Sequence, residues 1–343
     1  MPAADPGPPP PPAAPGAPTP QGRRFVLVLL LLLGALLTSM HAYVVNYGEN
    51  RSMRKERHER ILSMTGEAPW AYRVLSPALA EGTSRVVGPL MARPIDRRES
   101  GYLLWRLAWT SGFLVAFHRL LERWLPATWA LLGAVLIAAL HGPSYLHYWY
   151  QPDSPGDLFA WALAALLTLQ ARDRWLFPLM LIAALNRETA VFIAPIHLAL
   201  RWGEEAPART LGRAAGLGLC WLLPYLGLRA WIPVEGWAGG MSVADIILDN
   251  LTSVEWLGYA ALFLGGWAPL ALLDWRDKPP ALRRLMLVML PYLALVVAFG
   301  RVREVRLLLP LGLALIPSAL ISLRARLEPG AGPSSPAGPP SSP

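Results

Sequence analysis

Long apolar blocks, separated by short charged stretches, run through most of this chain. The clearest blocks cover residues 25–37, 129–140, 176–185, 285–299 and 307–323. A helix needs ~20 apolar residues to cross a hydrocarbon core of ~30 Å, and several of these blocks approach that length. Because soluble domains do not contain so many blocks of this kind, the pattern predicts an integral membrane protein.

The spacing of the blocks predicts an all-α fold, a polytopic transmembrane helical bundle of about 10 membrane helices including short ones. The predicted segments are residues 25–45, 101–121, 125–146, 157–171, 174–185, 189–201, 212–231, 254–273, 284–300 and 306–323. Three regions follow: a disordered Pro-rich cytoplasmic tail (1–23), a transmembrane domain (24–326) and a disordered Pro/Ser-rich tail (327–343). Residues 46–100 form a predicted exterior loop, whose half-apolar stretch 74–92 favours a helix along the membrane interface.

The pair of segments at 174–185 and 189–201 allows two interpretations. Each segment is too short to cross ~30 Å as a straight helix, so the two would otherwise form one long helix. Two short helices are favoured, because only that arrangement keeps the arginines of 201–213 and 276–284 on the inner side of the membrane.

Composition and charge support the membrane assignment. The chain is 54% hydrophobic and 16% charged, whereas soluble domains carry about 25% charged residues. The net charge is +8, and all basic residues except Lys55 and Lys278 are arginines, which lie mostly between apolar blocks. Their distribution predicts a multi-pass protein with both termini in the cytoplasm. A basic stripe interleaved with aromatic residues is missing from the sequence, which excludes nucleic acid as a partner.

Two acidic residues, Asp153 and Asp157, fall in a predicted exterior turn between two membrane segments. Asp157 is predicted to begin a helix, where it would cap backbone N–H groups, and Asp153 suits a turn. The functional alternative is that one of them acts as a general base for a hydroxyl, or that both hold a divalent cation.

A second polar motif, Asn186-Arg187-Glu188-Thr189, interrupts two apolar runs. Each charge placed in the bilayer interior costs roughly 2.5–3.5 kcal/mol on insertion scales, so such residues pair with each other or line a functional cavity. The alternative to a functional site is an ion pair with a purely structural role, either between Arg187 and Glu188 or between helices. No metal ligands are assigned, because the histidines lack the spacing of a shared metal site.

A third motif, residues 301–306, contains three arginines on the predicted exterior side, against the charge bias. A guanidinium binds phosphate through two parallel hydrogen bonds, which predicts a site for a lipid phosphate at the membrane surface. The alternative is that the arginines anchor the start of the last helix by reaching to the interface. The candidate residues of this motif are Arg301, Arg303, Glu304 and Arg306.

Together these features resemble the GT-C class of membrane glycosyltransferases, particularly its uncharacterised bacterial members. The resemblance rests on the first helix with its long exterior loop, Tyr72-Arg73-Val74-Leu75-Ser76-Pro77, the acidic turn, the motif at 186–189 and Arg303-Glu304-Val305-Arg306. Members place catalytic acids in the first exterior loop, whereas here that loop carries only glutamates between Ala42 and Ile95.

The resemblance implies transfer of a sugar from a polyprenyl-phosphate-linked donor to an acceptor hydroxyl on a glycan, lipid or protein, on the non-cytoplasmic side of a bacterial inner membrane. Asp153 or Asp157 would be the base, with Glu188 as second choice, and Arg303 or Arg306 would hold the departing phosphate. Arg73, Asn186, Arg187, Arg301 and Glu304 would complete the substrate site. No cofactor is required, and a divalent cation is optional.

The main alternative from a different class is a transporter or flippase for a lipid or an anionic solute, in which the same charges would line a pathway. The two halves of the sequence show no internal repeat, which argues against that interpretation. A non-catalytic membrane scaffold that binds partners through its Pro-rich tails is a third alternative.

Overall fold

The computed structural model describes residues 20–47, 51–91, 94–141, 153–234, 242–254, 258, 260–261, 264–300 and 304–328. Over these residues the chain is helical and has no β-strand, which confirms the all-α prediction. The α-helices of these ranges are α1 (Pro20–Tyr47), α2 (Arg51–Leu62), α3 (Leu75–Val87), α4 (Pro94–Leu121), α5 (Ala127–His141), α6 (Asp153–Leu169), α7 (Leu176–Asn186), α8 (Ile193–Arg201), α9 (Pro207–Trp231), α10 (Val243–Thr252), α11 (Trp267–Leu272), α12 (Pro280–Phe299) and α13 (Gly312–Leu327). Short 3-10 helices lie at Trp70–Tyr72, Gly88–Leu90, Asp173–Trp175, Glu188–Phe192, Trp275–Asp277, Val305–Leu307 and Leu309–Leu311.

Several helices expose apolar side chains on their outer faces. Within the described residues, three helical stretches are long and apolar enough to cross a membrane: Pro207–Trp231, Pro280–Phe299 and Leu309–Leu327. Only 11% of the most apolar window of α9 is buried, and its Leu219 and Leu223 are 62% and 69% exposed. Apolar surface of this extent is uncommon on a soluble monomer and is compatible with a membrane protein.

The interior is built around α4, which packs along α6, α3 and α1. Its Phe113 and Phe117 are buried and stack on each other with ring centroids 5.7 Å apart. A second aromatic group joins α6 to α12, because Trp161 meets Tyr292 at 5.0 Å and Phe192 at 5.4 Å between ring centroids. These contacts place the start of α6 against the helices that carry the polar motifs.

The segment between residues 174 and 201 forms two short helices rather than one long one. Helix α7 ends at Asn186, and Arg187 adopts extended dihedral angles, φ −162° and ψ 147°. The 3-10 helix Glu188–Phe192 follows and leads into α8, whose first turn contains Pro195. Proline is tolerated there because the first N–H groups of a helix have no intrahelical partner.

The structure corrects the position of one helix start. Helix α6 begins at Asp153, four residues before the predicted start, so Asp157 lies within the helix and does not cap it. Asp153 occupies the first turn, where a carboxylate is favoured by the helix dipole and Pro155 loses no hydrogen bond.

Other boundaries also differ from the predicted segments. Helix α4 begins at Pro94, inside the predicted loop, and the last helix begins at Gly312 after two 3-10 turns. The predicted segment 254–273 is described only in part, and its described portion includes α11. The predicted interfacial stretch forms α3 and a 3-10 turn, on which Val86 and Leu90 are 78% and 81% exposed.

A buried histidine holds α2 and α3 to α4. His58 on α2 hydrogen-bonds through Nδ1 to the Tyr102 hydroxyl at 2.6 Å, and its Nε2 lies 3.3 Å from a Glu81 carboxylate oxygen. Burial, assisted by the positive charge of Arg98, holds the pKa of His58 below its usual value, although Glu81 and Glu59 oppose this shift. The three helices α2, α3 and α4 therefore meet at a neutral imidazole.

We expect acid to destabilise the packing of α2, α3 and α4 around His58. Between the lowered pKa of folded His58 and its unfolded value of about 6.5, the unfolded chain binds more protons, so stability rises with pH in that window and falls as pH drops through it. Thermal unfolding of the purified protein at about pH 7.5 and about pH 5.5 measures the effect. His58→Gln, which keeps a hydrogen-bonding side chain but cannot titrate there, should show a smaller difference between the two pH values. An equal difference in both proteins would contradict the assignment.

The contact between α3 and α4 depends on a close approach at Gly101. A Cβ atom at Gly101 would lie 2.3 Å from the carbonyl oxygen of Ala80 and 2.5 Å from the Ser84 hydroxyl. Gly101→Val should therefore lower stability by about 1–3 kcal/mol, as overpacking of a tight contact does. The control is Gly82→Ala on α3, where an added Cβ meets nothing within 4 Å; this change should be neutral or slightly stabilising. Equal melting temperatures for both variants would be inconsistent with this packing.

Candidate functional site

Arg73 connects three segments that are far apart in the sequence. It precedes α3, and its Nη1 donates to Asp153 Oδ2 at 3.0 Å, at the start of α6. Its Nε donates to Glu188 Oε2 at 3.1 Å, just after α7. The Arg73 side chain is only 13% exposed. The segment before α3 is therefore tied to two helix ends through one guanidinium.

Arg187 brings a second guanidinium to the same carboxylate. Its Nε lies 3.7 Å from Asp153 Oδ2 and its Nη1 lies 3.9 Å from Asp157 Oδ2. The Nη1 also donates to the Ser154 hydroxyl at 3.2 Å. The side chain of Arg187 is 6% exposed. The break in helical geometry at this residue is the feature that ends α7 at the level of the α6 N-terminus.

The two uncharged members of the motif at 186–189 also contact α6. Asn186 donates through Nδ2 to the Asp153 carbonyl oxygen at 2.7 Å and accepts a hydrogen bond from the Ser76 hydroxyl at 2.7 Å. Thr189 donates its hydroxyl to Asp157 Oδ2 at 2.6 Å. Gly156 permits the approach of Asn186, since a Cβ there would lie 3.2 Å from Asn186 Nδ2.

We call this group the junction cluster. Its members are Arg73, Ser76, Asp153, Ser154, Asp157, Asn186, Arg187, Glu188 and Thr189. The sequence singled out six of these residues as candidates, namely Arg73, Asp153, Asp157, Asn186, Arg187 and Glu188. The structure brings all six together in one hydrogen-bonded and ion-paired group.

Two carboxylate oxygens of the junction cluster lack a hydrogen-bond partner among the described residues. They are Asp157 Oδ1 and Glu188 Oε1, and both atoms are shielded from solvent. Leaving a buried charged oxygen without a donor costs free energy, because its hydration is lost and not replaced. Each of these oxygens is thus placed to accept a hydrogen bond from a bound hydroxyl group or water.

The third predicted motif is described only from residue 304 onward. Glu304 and Arg306 are buried and pair with each other, and the charge of Arg306 acts on Asp153 and on Tyr292. The Tyr292 hydroxyl donates to the Leu307 carbonyl oxygen at 2.8 Å, which ties α12 to this turn. Arg301 and Arg303 lie outside the described residues. Glu304 and Arg306 therefore border the junction cluster.

Two aromatic neighbours of the cluster were not predicted. Trp221 on α9 donates its indole N–H to the Glu188 carbonyl oxygen at 2.9 Å, and Tyr292 lies within electrostatic range of Arg187 and Asp157. Both residues sit in apolar blocks, where aromatic side chains are ordinary core or interface residues. The sequence contains no signal that distinguishes them from such residues.

A separate charged network lies at the opposite ends of α6 and α8. Arg213 on α9 donates to Asp173 Oδ2 at 2.6 Å and to Glu205 Oε1 at 2.9 Å. Arg201, at the end of α8, lies 3.5 Å from Asp173 Oδ2. The sequence predicts this end to be cytoplasmic. These pairs hold the end of α8 and the start of α9 against the segment that follows α6. They supply a control for experiments on the junction cluster.

The described residues offer no ready metal centre. In this part of the chain, no group of three or more His, Cys, Asp or Glu side chains is placed to hold a metal ion. The optional divalent cation implied by the resemblance stays a prediction.

Comparison with known proteins adds no family. No protein-family model matches the chain, and no curated protein matches it significantly in sequence. The functional argument therefore rests on the geometry of the junction cluster.

The bond between Ser76 and Asn186 should be energetically coupled. Asn186→Ala removes the hydrogen bond from the Ser76 hydroxyl and the one to the Asp153 carbonyl oxygen, and it should cost about 1–3 kcal/mol. Adding Ser76→Ala should then cost less than it does alone, with an interaction energy of at least about 0.5 kcal/mol in a double-mutant cycle of denaturant unfolding. Ser100→Ala, whose hydroxyl bonds to the Arg97 carbonyl in the same helix, is the control and should change stability by less than about 0.5 kcal/mol. Additive effects of the first two changes would contradict the contact.

Proposed function

We propose that this protein is a polytopic membrane glycosyltransferase that resembles the GT-C class. In this proposal it transfers a sugar from a polyprenyl-phosphate donor to a hydroxyl group of a glycan, lipid or protein acceptor. The observation that supports it most is the junction cluster itself, in which arginines at a helix junction hold buried carboxylates, two of whose oxygens have no hydrogen-bond partner among the described residues. Perturbed, buried charges of this kind concentrate at functional sites.

Glu188 is the base in this proposal. A general base needs an oxygen that can accept a hydrogen bond from the reacting hydroxyl. Asp153 contacts two guanidiniums, so its role is to hold Arg73 and Arg187 in place. Glu188 Oε1 is shielded from solvent but has no hydrogen-bond partner among the described residues. The Glu188 side chain as a whole is 23% exposed, against 2% for Asp157, so Glu188 is the acid nearer to the surface of the cluster. The proposal therefore places Glu188 before Asp153 and Asp157, which the sequence analysis names first.

The reaction is a single displacement. The acceptor oxygen forms a bond to the anomeric carbon of the sugar while the bond from that carbon to the phosphate oxygen breaks. The electron pair of the broken bond stays on the phosphate, and the acceptor proton moves to Glu188. The products are the inverted glycoside and a polyprenyl phosphate. Arginine is suited to stabilise the charge that develops on the phosphate, and Arg306 is the described residue proposed for this role, together with Arg301 and Arg303.

The membrane arrangement is part of the proposal. It comprises about 10 membrane segments, both termini in the cytoplasm and the junction cluster on the non-cytoplasmic side of a bacterial inner membrane. The exposed apolar faces of α1 and α9 support a lipid environment, as do the three helical stretches that are long and apolar enough to cross a membrane among the described residues. A lipid-linked donor reaches such a site from within the bilayer, without leaving it.

The decisive experiment is sugar transfer by the purified protein in nanodiscs, with a panel of polyprenyl-phosphate hexoses and pentoses, followed by mass spectrometry. Glu188→Gln should lower kcat by about 10²–10⁴-fold, because removing a general base costs that much. The rate is compared per folded protein, since the same change also weakens the Arg73–Glu188 ion pair. Glu205→Gln, in the network at the other end of the helices, is the matched control and should retain transfer.

Two results would overturn the proposal. If Glu188→Gln retained full transfer, Glu188 would not be the base. If the wild-type protein gave no glycosylated product with any donor but supported flux of an anionic solute or lipid in proteoliposomes, the transporter alternative would replace the glycosyltransferase.

A further inference from the structure

A stack of side chains on α9 lies directly beside the junction cluster. The guanidinium carbon of Arg229 lies 3.5 Å from the ring centroid of Tyr225 and 4.2 Å from that of Tyr72. Trp221 stacks on Tyr225 with ring centroids 4.4 Å apart. We call these four residues, Tyr72, Arg229, Tyr225 and Trp221, the α9 column. Three of them come from successive turns of one helix, and the fourth comes from the exterior loop.

Both ends of the α9 column connect to residues of the junction cluster. Tyr72 immediately precedes Arg73 in the chain, so a fixed Tyr72 ring restricts where Arg73 can place its guanidinium. At the other end, Trp221 donates its indole N–H to the Glu188 carbonyl oxygen at 2.9 Å. The column therefore contacts both partners of the Arg73–Glu188 ion pair, whose shortest separation is 3.1 Å.

An apolar contact seats the same loop segment on the same helix. Ala71 is fully buried and clusters with Leu228 and Ile232 at the end of α9, and Tyr72, Val74 and Leu185 pack against this group. Gly66 lets the loop fold back over Ala71, because a Cβ at Gly66 would lie 3.3 Å from the Ala71 Cα. The segment before α3 is thus held from both sides of Arg73.

We infer that Arg229 is a positioning residue, which clamps the Tyr72 ring onto α9 and thereby holds Arg73 against Asp153 and Glu188. This inference adds a positioning residue to the proposed active site. Only the expected loss of sugar transfer rests on the proposed function. A guanidinium is planar, stacks on aromatic faces and is weakly hydrated, so it packs flat between two rings better than a compact, strongly hydrated ammonium group does.

The first measurement is a distance and does not depend on activity. The full-length protein in nanodiscs carries Cys220→Ser, which removes its single cysteine, together with Thr65→Cys on the exterior loop and Leu223→Cys on α9. Spin labels at the two new cysteines report the distance between loop and helix by pulsed electron paramagnetic resonance. Arg229→Ala should widen this distance distribution about twofold, because the loop loses a local restraint. Arg209→Ala, a change of the same type at an exposed position near the start of α9, should leave it unchanged.

The second measurement is sugar transfer by the same variants. Arg229→Ala should lower kcat/KM by about 10–100-fold, in the range produced by a small misplacement of catalytic groups. If Arg229 acts through Arg73, adding Arg229→Ala to Arg73→Ala should cause no further loss. Arg229→Lys keeps the positive charge but lacks the planar group, so it should fail to restore either the narrow distance distribution or the rate. It also provides a second variant if Arg229→Ala does not fold.

Each outcome decides between the two claims. A wild-type distance distribution in Arg229→Ala, or full recovery of both measurements by Arg229→Lys, would overturn the positioning role. Additive losses with Arg73→Ala would overturn it as well. A widened distribution in a protein that transfers no sugar with any donor would leave the positioning role intact and count against the proposed function alone.

Discussion

The guanidinium of Arg73, shared between Asp153 and Glu188, is the interaction on which the rest of the site depends. Its two partners lie 80 and 115 residues further along the chain. A charge removed from water costs several kcal/mol unless it is paired and hydrogen-bonded, and breaking a buried pair from one side costs about 3–5 kcal/mol. The ion pairs therefore restrict how the exterior loop, the start of α6 and the end of α7 can be arranged.

Helix ends, not helix interiors, supply the polar groups of the junction cluster. The short helix α7 stops at Asn186 because Arg187 takes an extended conformation. This places Asn186, Arg187 and Thr189 in contact with the start of α6. Asn186 also joins the two helix ends directly, by donating to the Asp153 carbonyl oxygen at the start of α6. Irregular backbone of this kind is tolerated at membrane depth only where protein or a cavity surrounds it.

The surroundings of the cluster are apolar on several sides. The aromatic group of Trp161, Phe192 and Tyr292 closes it toward the core, and α9 presents leucines outward and Trp221 inward. Excluding water strengthens electrostatic interactions and keeps donors and acceptors oriented. The packing that stabilises the helices therefore also fixes the orientation of the charged side chains.

Part of this architecture could be predicted from the sequence, because burial in lipid and burial in protein both favour apolar blocks, and these blocks predict an all-helical protein. The preference for two short helices between 174 and 201 also required the placement of the arginines. The cost of intramembrane charge marks Arg187 and Glu188 from the sequence alone. Only the tertiary structure shows that α6 starts at Asp153 and which carboxylate each arginine contacts. It also shows that Asp157 Oδ1 and Glu188 Oε1 have no hydrogen-bond partner among the described residues, and that Trp221 and Arg229 lie beside the cluster. Residues such as Tyr72 and Arg229 lie in segments with no shared periodicity, and only three-dimensional packing puts them within 4.2 Å of each other. The local pattern of apolar and polar residues indicates which face of a helix avoids water. The contacts between side chains that are distant in the sequence depend instead on how the helices pack against each other.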